Sequence, residues 1–259
     1  MLPASLADFG PAALAAVVVA GYLVVGEPVV GQVLHRRFEG RLRTDPSARR
    51  SFYRRLLVLE WGLSLLVLAI WLGAPGIDAA AVGLRWPQSW PGPVTGAVVV
   101  LVLLFVLVST RALRGGALLE AAPQGRHAES PAHAQSPAHA TLALLPRTPG
   151  ERRLFTVDGL TAGICEEWLY RGFFLAVVAA VAGRPSTAVL VAVAAVAFGL
   201  AHAYQGVVGV VTTGVLGGIM AALYLGTGSL LLPVLLHAAI DLRFLLVPTR
   251  ALPAGQGAG

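Results

Sequence analysis

Seven runs of apolar residues recur along the chain, at about 11 to 33, 56 to 74, 94 to 113, 154 to 182, 187 to 203, 206 to 225 and 229 to 247. Each approaches the ~20 residues that cross a hydrocarbon core about 30 Å thick. A backbone in lipid must satisfy every N–H and C=O internally, and the alternating pattern of a membrane barrel is missing, so the spans are helices. The expected fold is therefore all-α, a polytopic transmembrane helical bundle of about seven spans. Composition agrees: 56% of residues are hydrophobic and 12% charged, against roughly 25% charged in soluble domains.

The chain has 19 arginines and no lysine, for a formal charge of +6. Their placement decides what that charge means. Eight (36, 37, 41, 43, 49, 50, 54 and 55) fall in one short loop and six (111, 114, 126, 147, 152 and 153) in another. Loops of this kind set membrane orientation by the positive-inside rule. With the N-terminus outside, sixteen arginines lie on the cytoplasmic side with the C-terminus, two (Arg85 and Arg184) lie outside, and Arg171 is inside the membrane. A nucleic-acid partner would need a basic face on a folded soluble module, which the sequence lacks. The first ten residues carry no basic segment of a cleavable signal peptide, so the first run is expected to remain as a span.

Glycine and proline mark turns at 73 to 76, 86 to 93 and 182 to 186, with Trp86 and Trp90 placed as an interfacial belt. Segment 121 to 140 holds SPAHA twice and His127, His133 and His139 at a six-residue period. Proline-bearing and alanine-rich, it reads as a low-complexity cytoplasmic linker rather than a metal-binding tract. The single cysteine, Cys165, excludes an intramolecular disulfide. Beside Glu166 it is either a nucleophile or a small space-filling residue, and the second reading is preferred.

The stretch GICEEWLYRGFF (163 to 174) places Glu166, Glu167 and Arg171 in an apolar span. Three unpaired charges at mid-membrane would cost on the order of 8–10 kcal/mol. On a helix Glu167 and Arg171 lie about 40° apart, in the favourable acid-before-base order, and neutralise each other. Glu166 points about 140° from Arg171 and is left to another partner. Two further spans supply candidates. Phe198 and His202 share one helix face in FGLAH, and His237 and Asp241 are four residues apart in HAAID, where the aspartate is expected to fix the imidazole tautomer. The first three spans carry few polar residues, and ionisable groups inside a membrane point to function.

In order and helix placement, EEWLYR (166 to 171), FGLAH (198 to 202) and HAAID (237 to 241) resemble the EExxxR, FxxxH and HxxxN/D motifs of the CAAX protease and bacteriocin-processing (CPBP or Abi) intramembrane proteases. Trp168 and Tyr170 depart from the aliphatic and phenylalanine residues usual in the first motif, and Asp241 stands where asparagine is frequent. The resemblance covers about residues 142 to 245. It implies a catalytic core of four transmembrane helices over 142–247, behind variable N-terminal helices (1–113) and the linker (114–141), with a disordered tail at 248–259.

The resemblance also implies a glutamate-dependent endopeptidase without a metal cofactor. Glu166 and His202 would hold and deprotonate the attacking water, and His237 and Asp241 would stabilise the oxyanion. Glu167, Arg171 and Phe198 would support the site. An unprotonated aspartate cannot donate a hydrogen bond, so Asp241 is expected to orient His237 instead. One glutamate and two histidines (Glu166, His202 and His237) also match the ligand set of catalytic zinc, which leaves a metalloprotease as the alternative. A second alternative is a non-catalytic scaffold, immunity protein or proton-coupled carrier. The expected substrate is a membrane-associated peptide or protein cut near the cytoplasmic leaflet. The arginine-only, alanine- and glycine-rich composition suggests a bacterial cell membrane.

Overall fold

The computed structural model describes residues 2–42, 44–89, 92–115 and 137–247. His127, His133, Trp90 and the tail 248–259 lie outside the described residues. Among the described residues every regular element is helical. Helix α1 (Leu6–Arg41) starts as a 3-10 segment and carries a π-helical stretch, Tyr22–Gly26. It is followed by α2 (Ala48–Leu72), α3 (Pro93–Gly115) and a short α4 (Pro137–Leu144), which begins inside the segment read as a linker. Helices α5 (Pro149–Glu167) and α6 (Leu175–Ala182) are joined without a break by a second π-helical stretch, Trp168–Phe174. Helices α7 (Thr187–Ala201), α8 (Gly206–Thr227) and α9 (Leu231–Leu242) complete the bundle.

Each expected span is met by helix, but their reach differs. Among the described residues four helices are long and apolar enough to cross a membrane: Leu6–Arg41, Ala48–Leu72, Pro93–Gly115 and Ala203–Thr227. Helices α7 and α9 have 15 and 12 residues. At 1.5 Å per residue they cover only about 22 and 18 Å, short of a full crossing. The last span, expected to run to 247, leaves the α-helix at Leu242 and ends in a 3-10 turn, Arg243–Leu246. Seven is therefore an approximate count. Large apolar side chains such as Leu14, Val25, Val58, Leu101 and Val207 are exposed on many helices, as lipid-facing surfaces require.

Local chemistry explains where α5 begins. Thr148 accepts from Glu151 N–H, and Glu151 Oε2 accepts from Arg147 and Thr148 N–H at 2.7 and 3.0 Å. Pro149 occupies the first helical turn. This is a capping box, which satisfies donors that the first turn leaves free. The helix then packs between α2 and α9. Trp61 and Trp168 indoles tie α2 to α5 through Thr161 Oγ1 (3.2 Å) and Ser64 O (3.3 Å). On the α9 side, a Cβ on Gly163 would stand 3.0 Å from Ala238 Cβ and 3.2 Å from Val234 O. Gly159 and Gly163 form a small-xxx-small face that lets the two backbones approach. Helices α7 and α8 form a tight pair in the same way, Gly199 lying against Val210 O.

One end of the bundle is basic. There Phe38, Ala48, Phe52, Tyr53 and Ala143 pack in a small core of their own, Arg49 Nε donates to Ala143 O at 2.9 Å, and Arg152 reaches Leu245 O. The opposite end is closed by the loop after α2: Leu230 N–H donates to Gly83 O at 3.1 Å and Arg85 Nε to Gly228 O at 2.9 Å. The polar residues of α5, α7 and α9 lie between these ends.

Candidate active site

Arg171 is fully buried, and its guanidinium makes three contacts. Nη1 donates to Glu167 Oε1 at 3.0 Å, Nη2 donates to Gly217 O at 3.1 Å, and the Phe198 ring lies 4.3 Å from the guanidinium carbon. Gly217 allows this because a Cβ there would meet the Phe198 side chain at 2.9 Å. The Glu167–Arg171 pair read from the spacing is present. It bridges the end of α5 and the second π-helical stretch, whose Tyr170 hydroxyl donates to Leu23 O in the first. A π turn widens the helix and frees carbonyls from the regular ladder, which is why such segments concentrate at functional sites.

Glu167 is more than the partner of Arg171. Its Oε1 also accepts from His237 Nδ1 at 2.7 Å, so one fully buried carboxylate oxygen joins arginine and imidazole. This corrects the expected role of Asp241. Asp241 Oδ2 is 3.6 Å from His237 Nε2, beyond hydrogen-bond reach, and the nitrogen that fixes the tautomer is held by a residue on another helix. Four-residue spacing on α9 brings Asp241 near the ring, but α5 packs closer through Gly163.

Glu166 approaches the same imidazole from the other side, with Oε2 3.9 Å from His237 Nε2. That oxygen is buried and accepts no hydrogen bond among the described residues. His202 caps the end of α7, and its Nδ1 is 2.9 Å from Phe198 O. A carbonyl oxygen only accepts, so Nδ1 donates and Nε2 of the neutral ring keeps its lone pair. Phe198 lies between the two imidazoles, at 4.8 Å from His202 and 5.8 Å from His237 between centroids. All seven residues singled out from the sequence are thus in one neighbourhood.

The structure adds three carboxylates to it. Glu60 of α2 lies in the field of Glu166, Asp158, Asp241 and Glu27, and Glu27 of α1 in that of Glu166 and His202. Glu60 Oε2 and Asp158 Oδ1, like Glu166 Oε2, are buried without a hydrogen-bond partner among the described residues. Buried acceptors of this kind are what ordered water satisfies. The sequence signal was present: Glu60 and Glu27 are isolated acids in apolar spans, the pattern that marked Glu166. Cys165 is buried on a different face of α5, beside an apolar cavity of about 420 Å³ that Trp61, Trp168 and Leu230 also line, in keeping with a packing role. Among the described residues no three His, Cys, Asp or Glu side chains converge as a metal-holding group. Glu166, His202 and His237 do not form one in this arrangement.

The fold and site define a helical membrane protein with a buried glutamate–histidine centre on its last helices. Residues 150–243 match the family model of the type II CAAX prenyl endopeptidase Rce1-like proteins, in accord with the resemblance read from the three motifs. The match begins at the capping box of α5 and ends just past α9, so it holds all three motifs. That segment is similar to CAAX-type membrane endopeptidases. No curated protein and no solved structure matches the chain.

Proposed function

We propose that the protein is an intramembrane endopeptidase that uses Glu166 to activate water and cuts a membrane-associated peptide or protein. The observation that carries this reading is the pair of glutamates on one imidazole. Glu167 is anchored through Oε1 by Arg171 and His237, whereas the Glu166 carboxylate makes no hydrogen bond among the described residues and its buried Oε2 stands 3.9 Å from His237 Nε2. One water molecule can hydrogen-bond both groups across that spacing.

In the proposed reaction Glu166 takes a proton from water as its oxygen attacks the peptide carbonyl carbon. His202, with Nε2 free to accept, helps hold that water. The carbonyl oxygen becomes the oxyanion and faces His237 Nε2. Donation from Nε2 while Nδ1 donates to Glu167 requires the imidazolium form, whose charge the Glu167 carboxylate balances. The proton on Glu166 then passes to the leaving amine as the C–N bond breaks. Asp241 borders His237 without holding it. The basic end of the bundle is assigned to the cytoplasm by the positive-inside rule, with the N-terminus outside and the cleavage site near the cytoplasmic leaflet.

The test is cleavage of an unbiased peptide library by purified, detergent-solubilised protein, comparing wild type, Glu166→Gln and wild type with a strong chelator. Cleavage lost in Glu166→Gln and kept in chelator is the expected result. Loss in chelator would move the reading to zinc. A Glu166→Gln protein that keeps full activity would overturn the assignment of the base.

A further inference from the structure

A second cavity, of about 810 Å³, lies where the C-terminal part of α1 meets the first turns of α2, at the basic end of the bundle. It is lined by Arg50, Arg54 and Arg55, by the hydroxyls of Ser47 and Ser51, and by an apolar wall of Val58, Leu59 and Leu34. The order along α2 is systematic. Ser47, Arg50, Ser51, Arg54 and Val58 fall within an arc of about 100°, and from Ser47 to Val58 the helix rises about 16 Å. One helix face therefore passes from cations and hydroxyls at the polar boundary to aliphatic side chains inside the hydrocarbon.

Two neighbouring arginines are engaged within the protein. Arg41 pairs with Asp45, and Arg49 Nε donates to Ala143 O. Arg50, Arg54 and Arg55 are exposed and have no ion pair or hydrogen bond among the described residues. Orientation by the positive-inside rule explains why arginines lie at this end. It does not call for a concave site that three of them share with two hydroxyls and an apolar wall.

We propose that this cavity binds an anionic phospholipid, its phosphodiester held by Arg50, Arg54 and Arg55 with Ser51 as a further donor, and the upper part of its acyl chains against Val58, Leu59 and Leu34; the Ser47 hydroxyl is taken by Asp45 Oδ1 at 2.7 Å. Guanidinium groups suit phosphate oxygens, and basic pockets between transmembrane helices at the interface select anionic headgroups. A free phosphate would use the cations and leave the apolar wall without a function. A phospholipid uses both. Leu59 adjoins Glu60 in the chain, but no residue of the glutamate–histidine centre lines the cavity, and the inference holds whether or not that centre cleaves peptides.

The experiment is native mass spectrometry of the full-length protein released from micelles containing phosphatidylglycerol and phosphatidylcholine with matched acyl chains. Wild type is expected to retain phosphatidylglycerol preferentially. Arg50→Ala/Arg54→Ala/Arg55→Ala is expected to lose that preference by about fivefold per arginine, on the order of a hundredfold in all. Arg36→Ala/Arg37→Ala/Arg111→Ala removes the same charge outside the cavity and should keep it. Val58→Trp keeps every charge but fills the apolar wall, and should also release the lipid; it serves if the triple arginine variant does not fold. Equal loss in the two triple variants would reduce the effect to surface charge. Displacement of the lipid by inorganic phosphate would make this a phosphate site, displacement by an acidic peptide a protein-docking site, and either result would overturn the lipid assignment, as would an unaffected Val58→Trp protein.

Discussion

Replacement of Arg171 by leucine tests how the charges of the site are sustained. The Glu167–Arg171 contact is 3.0 Å between fully buried groups. At an effective dielectric constant near 20 its Coulomb energy is about 5–6 kcal/mol. Leucine also removes the donor to Gly217 O and the cation over Phe198, the latter contributing roughly 0.5–2 kcal/mol. Against this, the desolvation of the guanidinium is relieved. What dominates is that Glu167 stays buried without its cation, and breaking one side of a buried pair costs about 3–5 kcal/mol. Glu167→Gln in the same chain removes the orphaned charge and should restore most of that loss. The assay is unfolding of the purified protein by SDS titration from mixed micelles, followed by circular dichroism, for both single variants and the double variant. If Arg171→Leu costs under about 1 kcal/mol, or if the double variant is no more stable than Arg171→Leu, the pair is not a compensating unit and this reasoning fails.

The orienting residue of His237 can be identified kinetically: Glu167→Gln should lower peptide cleavage by about 10–100-fold with KM little changed. Asp241→Asn, which breaks no hydrogen bond to the ring, should fall well short of that loss, and the reverse order would return the orienting role to Asp241. Gly163→Val should destabilise the protein by about 1–3 kcal/mol in the same SDS titration, because the new Cβ meets the backbone of α9 and has no flexible neighbour to displace; an unchanged midpoint would show that the α5–α9 approach is not tight.

The sequence by itself determined the helical membrane class, the approximate positions of the apolar helices and seven candidate residues that the structure brings into one neighbourhood. The reason is that lipid makes local rules strict: an apolar run of sufficient length must be helix, and a charge within it must be compensated. Four-residue spacing was enough to pair Glu167 with Arg171. The same rule failed for His237 and Asp241, since spacing reports which residues share a face and not which helix packs nearest.

Tertiary structure alone decided that Glu167, seventy positions away in the chain, holds His237 Nδ1, because that contact depends on how closely α5 and α9 approach at Gly163. It also decided that α2 and α1 contribute Glu60 and Glu27 to the centre, and that the basic end is concave where α1 meets α2. Periodicity fixes the direction a side chain takes from its own axis. The distance across to the next axis is set by the small residues of both helices together, and that becomes defined only when they pack.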